Sequence, residues 1–202
     1  MKDQDHTKLP SGRDIPLLLL GIIGIGASGP IIAKSLMPVP TMIFWRNFIG
    51  GLFMAPFALK RKEWRTLNQQ KAILWSALGG VFLAFHFICF FWAMKYTSVA
   101  TGTALTATQP IFVALFVKFK GGHIPKKSFT GIFIAFISVI VITGIDLNLS
   151  LRSFQGDVLA VTGGALAAAY VLVSSKVQKE IATSTFTAVC YLTCSLTVLP
   201  IV

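Results

Sequence analysis

The chain has 202 residues, 54% of them hydrophobic and only 12% charged, yet its formal net charge is +11. Soluble domains carry about 25% charged residues, so an ordinary water-soluble fold is excluded. The positive balance would suit nucleic acid. However, the lysines and arginines sit in short clusters between apolar runs, where a membrane protein keeps its cytoplasmic loops. Nucleic acid is therefore set aside as a partner.

A helix needs about 20 mostly apolar residues to cross a hydrocarbon core of ~30 Å. Seven stretches meet this requirement, at 15–33, 40–59, 72–94, 98–117, 129–145, 158–175 and 186–202. The expected fold is an all-α membrane protein, a polytopic helical bundle. Residues 1–14 are polar and mixed in charge, and the first apolar run ends at Lys34 without a small-residue cleavage site. It reads as a retained first helix behind a short cytoplasmic tail. Alternate loops hold fourteen lysines and arginines on one side and three on the other, Lys34, Lys95 and Arg152. The excess places the N-terminus in the cytoplasm. No connection is long enough for a soluble domain, so function belongs in the bundle or at its mouths.

The first span carries Gly21, Gly24, Gly26, Ser28, Gly29 and Pro30. Pro30 cannot donate to the Gly26 carbonyl, so this helix can bend. In the second span Arg46 lies some six residues from the outer end, a depth of about 9 Å at 1.5 Å per residue. It reads equally as an anion-attracting group at an outward cavity or as a snorkelling side chain beside the belt residue Trp45. His86, near the middle of the third span, is flanked by Phe85, Phe87, Phe90, Phe91 and Trp92. Such an imidazole either titrates with solute or proton or makes an interhelical hydrogen bond. By the span boundaries no span interior contains Asp or Glu, which argues against a carboxylate-driven antiporter in this portion.

In the fourth span Thr97, Thr101 and Thr108 share one face, within about 40° at the helical period. Gln109 adds an amide, and Pro110 removes the bond that would reach the Thr106 carbonyl. In lipid a freed carbonyl needs another partner or a wet cavity. Small, hydroxylated, broken helices line the midplane sites of transporters, and they also make close-packed seams. Tyr170 offers a phenol at the depth of Ser28. Together these residues place a solute between the first, third, fourth and sixth spans. Cys89, Cys190 and Cys194 form neither a disulfide framework nor a metal site, since two thiols at i, i+4 without further ligands bind metal poorly. No cofactor motif is present. The run KRKEWR at 60–65 reads as a topology signal, with anionic-lipid binding as the sharper alternative.

An internal echo links the two ends of the chain. A shift of about 142 pairs Gly21 with Gly163, Ala27 with Ala169 and Lys34 with Lys176, and a shift of 144 pairs Thr41 with Thr185 and Pro56 with Pro200. Because five spans precede the second copy, it would insert inverted. The segments FWRNFIGG at 44–51, HFICFFWAMKYTSVATGTALTATQPIF at 86–112, Gly131 with Asp146, and GDVLAVTGGALAAAYVL at 156–172 resemble the drug/metabolite transporter superfamily, in particular the EamA-type permeases. The resemblance implies ten helices in two five-helix inverted repeats. Residues 15–146 would then be the first repeat and 157–202 an incomplete start of the second, with about three helices to follow.

The expected function is a secondary transporter that moves a small metabolite or drug-like solute across the cell membrane by alternating access. The alternatives are a non-transporting assembly protein and a membrane-embedded enzyme. His86 has no acid–base partner for the latter, so the chain is not read as an enzyme. A small-molecule solute and membrane lipids are the expected partners, and pairing as a homodimer is left open.

Overall fold

The computed structural model describes residues 12, 14–145 and 150–202, without the side chains of 126, 127, 140 and 142–145. Lys2, Lys8, Arg13 and Asp146, used above for charge or resemblance, lie outside the described residues. The described chain is helical throughout: α1 Asp14–Lys34, α2 Val39–Arg61, α3 Leu67–Tyr96, α4 Val99–Thr106, α5 Gln109–Phe119, α6 Lys126–Ile145, α7 Leu151–Val177 and α8 Thr183–Val198, closed by a 3-10 turn at Leu199–Ile201.

Counting α4 and α5 as one broken span, six segments of the described residues are long and apolar enough to cross a membrane. The helix α6 contributes the shorter apolar stretch Ser128–Val139. The protein is a multi-pass helical membrane protein. Large apolar side chains on α1, such as Leu17 and Ile25 at 70% and 75% exposure, are placed for lipid, which solvates them as well as a protein core would.

Local signals explain the helix ends. Thr66 and Gln69 close a reciprocal capping box at the start of α3. Ser98 and Ser150 accept backbone N–H bonds from Thr101 and Ser153 to start α4 and α7. Lys62 ends α2 in the left-handed region, at φ 52°. The helices overrun the apolar stretches: α7 starts at Leu151, seven residues before the expected span. Asp157 is consequently inside a helix rather than in a loop. Among the described residues its Oδ1 is buried without a hydrogen-bond partner. The expectation that no span interior contains Asp or Glu is corrected on this point, since the candidate span Leu151–Val177 includes Asp157.

The helix α3 is central, packed most extensively against α7 and α8, while α8 also runs along α2. Three Gly-Gly pairs set these approaches. A Cβ on Gly51 of α2 would stand 2.8 Å from the Leu192 side chain, and one on Gly80 of α3 would stand 2.6 Å from the Cys190 carbonyl oxygen. The third pair, Gly163–Gly164 of α7, faces α3 and the α4–α5 break. Around α8 the core closes on Ile43, Phe91, Phe186, Cys190, Cys194 and Val198, each at most 1% exposed.

Gly80→Ala is expected to lower the melting midpoint in detergent, since overpacking costs about 1–3 kcal/mol and here the obstacle is backbone. At Gly24, where nothing lies within 4 Å, alanine should be neutral or stabilising by up to ~1 kcal/mol. Equal midpoints for the two variants would show that the α3–α8 seam is not close-packed.

Candidate functional site

Arg46 enters from α2, and its guanidinium stacks over the Phe87 ring of α3 at 4.5 Å and stands 5.9 Å from the Phe91 ring. This is cation–π geometry. The side chain as a whole remains exposed, and among the described residues no hydrogen bond or ion pair engages its guanidinium. Below it Asn47 is buried and returns its amide to the Ile43 carbonyl. Trp45 points outward, edge-on to Phe44. Arg46 and Trp45 thus leave the helix about 100° apart, one over the α3 rings and the other outward.

His86 sits one residue from Phe87, stacked on Phe90 at 5.9 Å. Its Nδ1 lies 2.8 Å from the Gly163 carbonyl oxygen of α7. A carbonyl only accepts, so Nδ1 carries the proton, and in the neutral ring Nε2 is left as an acceptor. The structure therefore gives His86 an interhelical bond on one edge and keeps the other edge for a second partner.

The fourth span breaks where Pro110 demands it. The helix α4 stops at Thr106 and α5 starts at Gln109. At the break the Thr108 hydroxyl donates to the Leu105 carbonyl at 2.6 Å. The Thr106 carbonyl, freed by the proline, abuts Gly164, where an added Cβ would meet it at 3.0 Å. The Thr106 hydroxyl reaches the Ala160 carbonyl at 3.3 Å. The break is therefore seated on α7, and glycine is what lets two backbones share that space.

The threonine face turns the same way. Thr101 is 2% exposed and hydrogen-bonds with the capping Ser98. Thr108 is 9% exposed, with its hydroxyl 3.3 Å from a Cβ placed on Gly164. One helical face of hydroxyls thus lies in the α4–α7 seam. Gln109, half-buried, begins α5 beside it.

Other candidates stand apart. Trp92 is exposed and packs on Tyr96 at 5.4 Å. Tyr170 packs against Phe186 at 5.6 Å with the two rings tilted by 35°, in the α7–α8 seam. Around Pro30, the Ser28 hydroxyl donates to the Ile25 carbonyl. Gly29 meets Val99 and Thr103 of α4, so α1 touches the bundle near its C-terminal end, away from Tyr170. The structure therefore brings Arg46 and His86 to one aromatic wall of α3 and Thr101, Thr108 and Pro110 to one seam with α7.

Two sets of contacts were not anticipated from sequence. At the end opposite the KRKEWR run, the Lys95 ammonium donates to the Ala33 and Ser35 carbonyls, closing the end of α1. Arg152 reaches the Lys95 carbonyl while covering the Tyr96 ring at 5.3 Å. At the basic end, Glu63 accepts from the Ala182 N–H at 3.0 Å and the Thr185 hydroxyl at 2.6 Å. It caps α8 from 119 residues away. The only visible signal was the weak cap residue Ala182, which left α8 in need of an external acceptor.

Removing the His86 bond by His86→Leu should cost about 0.6–1.7 kcal/mol, the range for interhelical bonds in membranes. Gly156→Ala should cost more, because its Cβ would stand 2.8 Å from the Thr97 amide nitrogen. Melting of both variants in detergent checks the order, and the reverse order would disprove the seam.

Residues 13–144 match the EamA-like transporter family. An uncharacterized transporter of Archaeoglobus fulgidus is 33% identical over 157 residues, 77% of this chain and 50% of that protein. A pseudopaline exporter, CntI, of Pseudomonas aeruginosa is 26% identical over 111 residues, 54% of this chain and 38% of that protein. The matched segments thus span half or less of these curated relatives. No solved structure matches the chain. With more than half of its length inside the family match, and with the helical membrane architecture the motifs implied, the chain belongs to the EamA-like transporter family.

Proposed function

We propose that the chain is the working part of a secondary transporter that passes a small anionic or zwitterionic organic solute across the cell membrane by alternating access. The observation that carries this reading is Arg46. A guanidinium held inside a membrane span, backed by Phe87 and Phe91 and engaged by no hydrogen bond or ion pair among the described residues, is costly unless something negative visits it. The uncommitted Nε2 edge of neutral His86 adds an acceptor one helix position away. An ammonium or hydroxyl of the same solute can donate to that edge.

The α4–α7 seam is the proposed moving surface. The break at Thr106–Gln109 makes the fourth span two short segments, and discontinuous helices of this kind line transporter sites. The relatives named as transporter and exporter support the class of activity and make outward movement the first direction to test. The internal echo supports a division into a first repeat, 15–146, and the start of an inverted second, 157–202. The charge asymmetry between loops supports a cytoplasmic N-terminus.

Reconstituted in proteoliposomes, the protein should exchange labelled carboxylate-bearing metabolites. Arg46→Ala should weaken solute binding roughly 10- to 100-fold, the worth of a charged hydrogen bond, and Arg46→Lys should lose less. Absence of solute-dependent flux, or flux indifferent to Arg46→Ala, would overturn the reading. For orientation, a Lys62→Cys variant should react with an impermeant maleimide only in opened cells, and a Lys34→Cys variant should react in intact ones. The opposite pattern would reverse the topology.

A further inference from the structure

Between the end of α2 and the start of α8, at the basic end, lies a cleft of about 520 Å³. Its walls are Phe53, Met54 and Phe57 of α2, and its mouth is formed by Lys60, Arg61 and Ser184. Phe53 precedes Arg61 by eight residues, so the apolar wall runs about 12 Å along the helix from the mouth. One end of the cleft is thus hydrocarbon in character and the other is cationic. The two ends are separated by the depth over which a phospholipid changes from phosphate to acyl chain.

The charge at the mouth is unspent. The only carboxylate in the KRKEWR run is Glu63, and it is turned away to cap α8 through Ala182 and Thr185. The carboxylate of the α7–α8 turn, Glu180, lines a separate pocket with Lys71 and Lys176. Among the described residues no ion pair or side-chain hydrogen bond engages Lys60 or Arg61. Ser184 lies in the first turn of α8, where the helix end is electropositive. Two free cations, a hydroxyl and a positive helix end therefore converge above an apolar slot.

We propose that this cleft is a specific site for one anionic phospholipid of the leaflet at the basic end. Its phosphate sits on Lys60, Arg61 and the Ser184 hydroxyl, and an acyl chain lies along Phe53, Met54 and Phe57. A soluble phosphate shares the headgroup chemistry but gains nothing from the aromatic wall, which is why a lipid is the occupant. The bound lipid would tie α2 to α8 at the same end at which Glu63 does, across the seam between the two halves of the chain. The site does not depend on the transport reading and is tested without it.

The experiment is lipid retention on the purified protein in neutral detergent, read by native mass spectrometry. Phosphatidylglycerol, phosphatidylcholine and inorganic phosphate are offered in turn. Phosphatidylglycerol should be retained at one copy per chain, at least tenfold over phosphatidylcholine, and inorganic phosphate should not displace it. Lys60→Gln with Arg61→Gln should lose that preference, while Lys118→Gln with Lys120→Gln, charges on α5 and the turn after it, should keep it. Ser184→Ala is the fold-sparing variant, since among the described residues no hydrogen bond engages the Ser184 hydroxyl and alanine is the best helix former. It should lower phosphatidylglycerol retention severalfold, with an unchanged melting midpoint in the absence of lipid. Equal retention of both lipids, displacement by phosphate, or retention unaffected by the Lys60/Arg61 pair or by Ser184→Ala would each overturn the site.

Discussion

Everything in this bundle depends on how closely its helix backbones can approach. In lipid there is no hydrophobic force to press one helix on another, so contact surface and hydrogen bonds must do it. Three Gly-Gly pairs supply the contact. Gly50–Gly51 and Gly79–Gly80 grip α8 from two sides, and Gly163–Gly164 lays α7 against α3 and against the break between α4 and α5. The contact at Gly80 is with a backbone carbonyl rather than a flexible side chain. It therefore sets the position of the whole helix and cannot be relaxed by a rotamer change.

Close approach then decides where polar groups go. The Thr106 carbonyl that Pro110 frees would be exposed to hydrocarbon in an isolated helix, but here it lies against Gly164, where a Cβ would stand 3.0 Å from it. The Gly163 carbonyl is near enough to α3 for His86 to reach it at 2.8 Å. At the two ends of the bundle, long side chains finish what the helices leave open. Lys95 and Arg152 bind carbonyls of α1 and α3 at one end, and Glu63 caps α8 at the other. Arg46 differs from these, since it is braced by rings rather than by carbonyls or a carboxylate. A charge braced in this way is available, and that availability separates it from the structural cations.

Much of this was legible along the chain. The spans, the break at Pro110 and the separate standing of Arg46 and His86 are all local properties of composition and spacing. Trp92 and Tyr170 were harder to read, because membership of an aromatic cluster says nothing about which face of a helix looks inward. Trp92 faces outward onto Tyr96, and Tyr170 faces Phe186. Asp157 was placed in a loop because hydropathy marks where apolar residues begin, and a capped helix starts earlier, here at Ser150 and Leu151.

The sequence by itself determined that this is a multi-pass helical membrane protein of a transporter family, since hydropathy, charge clusters and motif order need no neighbours to be read. Only the tertiary structure decided which glycine pair meets which helix, that the threonine face of the fourth span looks at α7, and that Phe87 carries Arg46. It also decided that Glu63 is committed to α8 while Lys60 and Arg61 beside it are not. Each of these depends on the rotation of a helix about its own axis and on packing that brings together residues as far as 151 apart. Those quantities are fixed by the packing of all the helices together and by no segment alone.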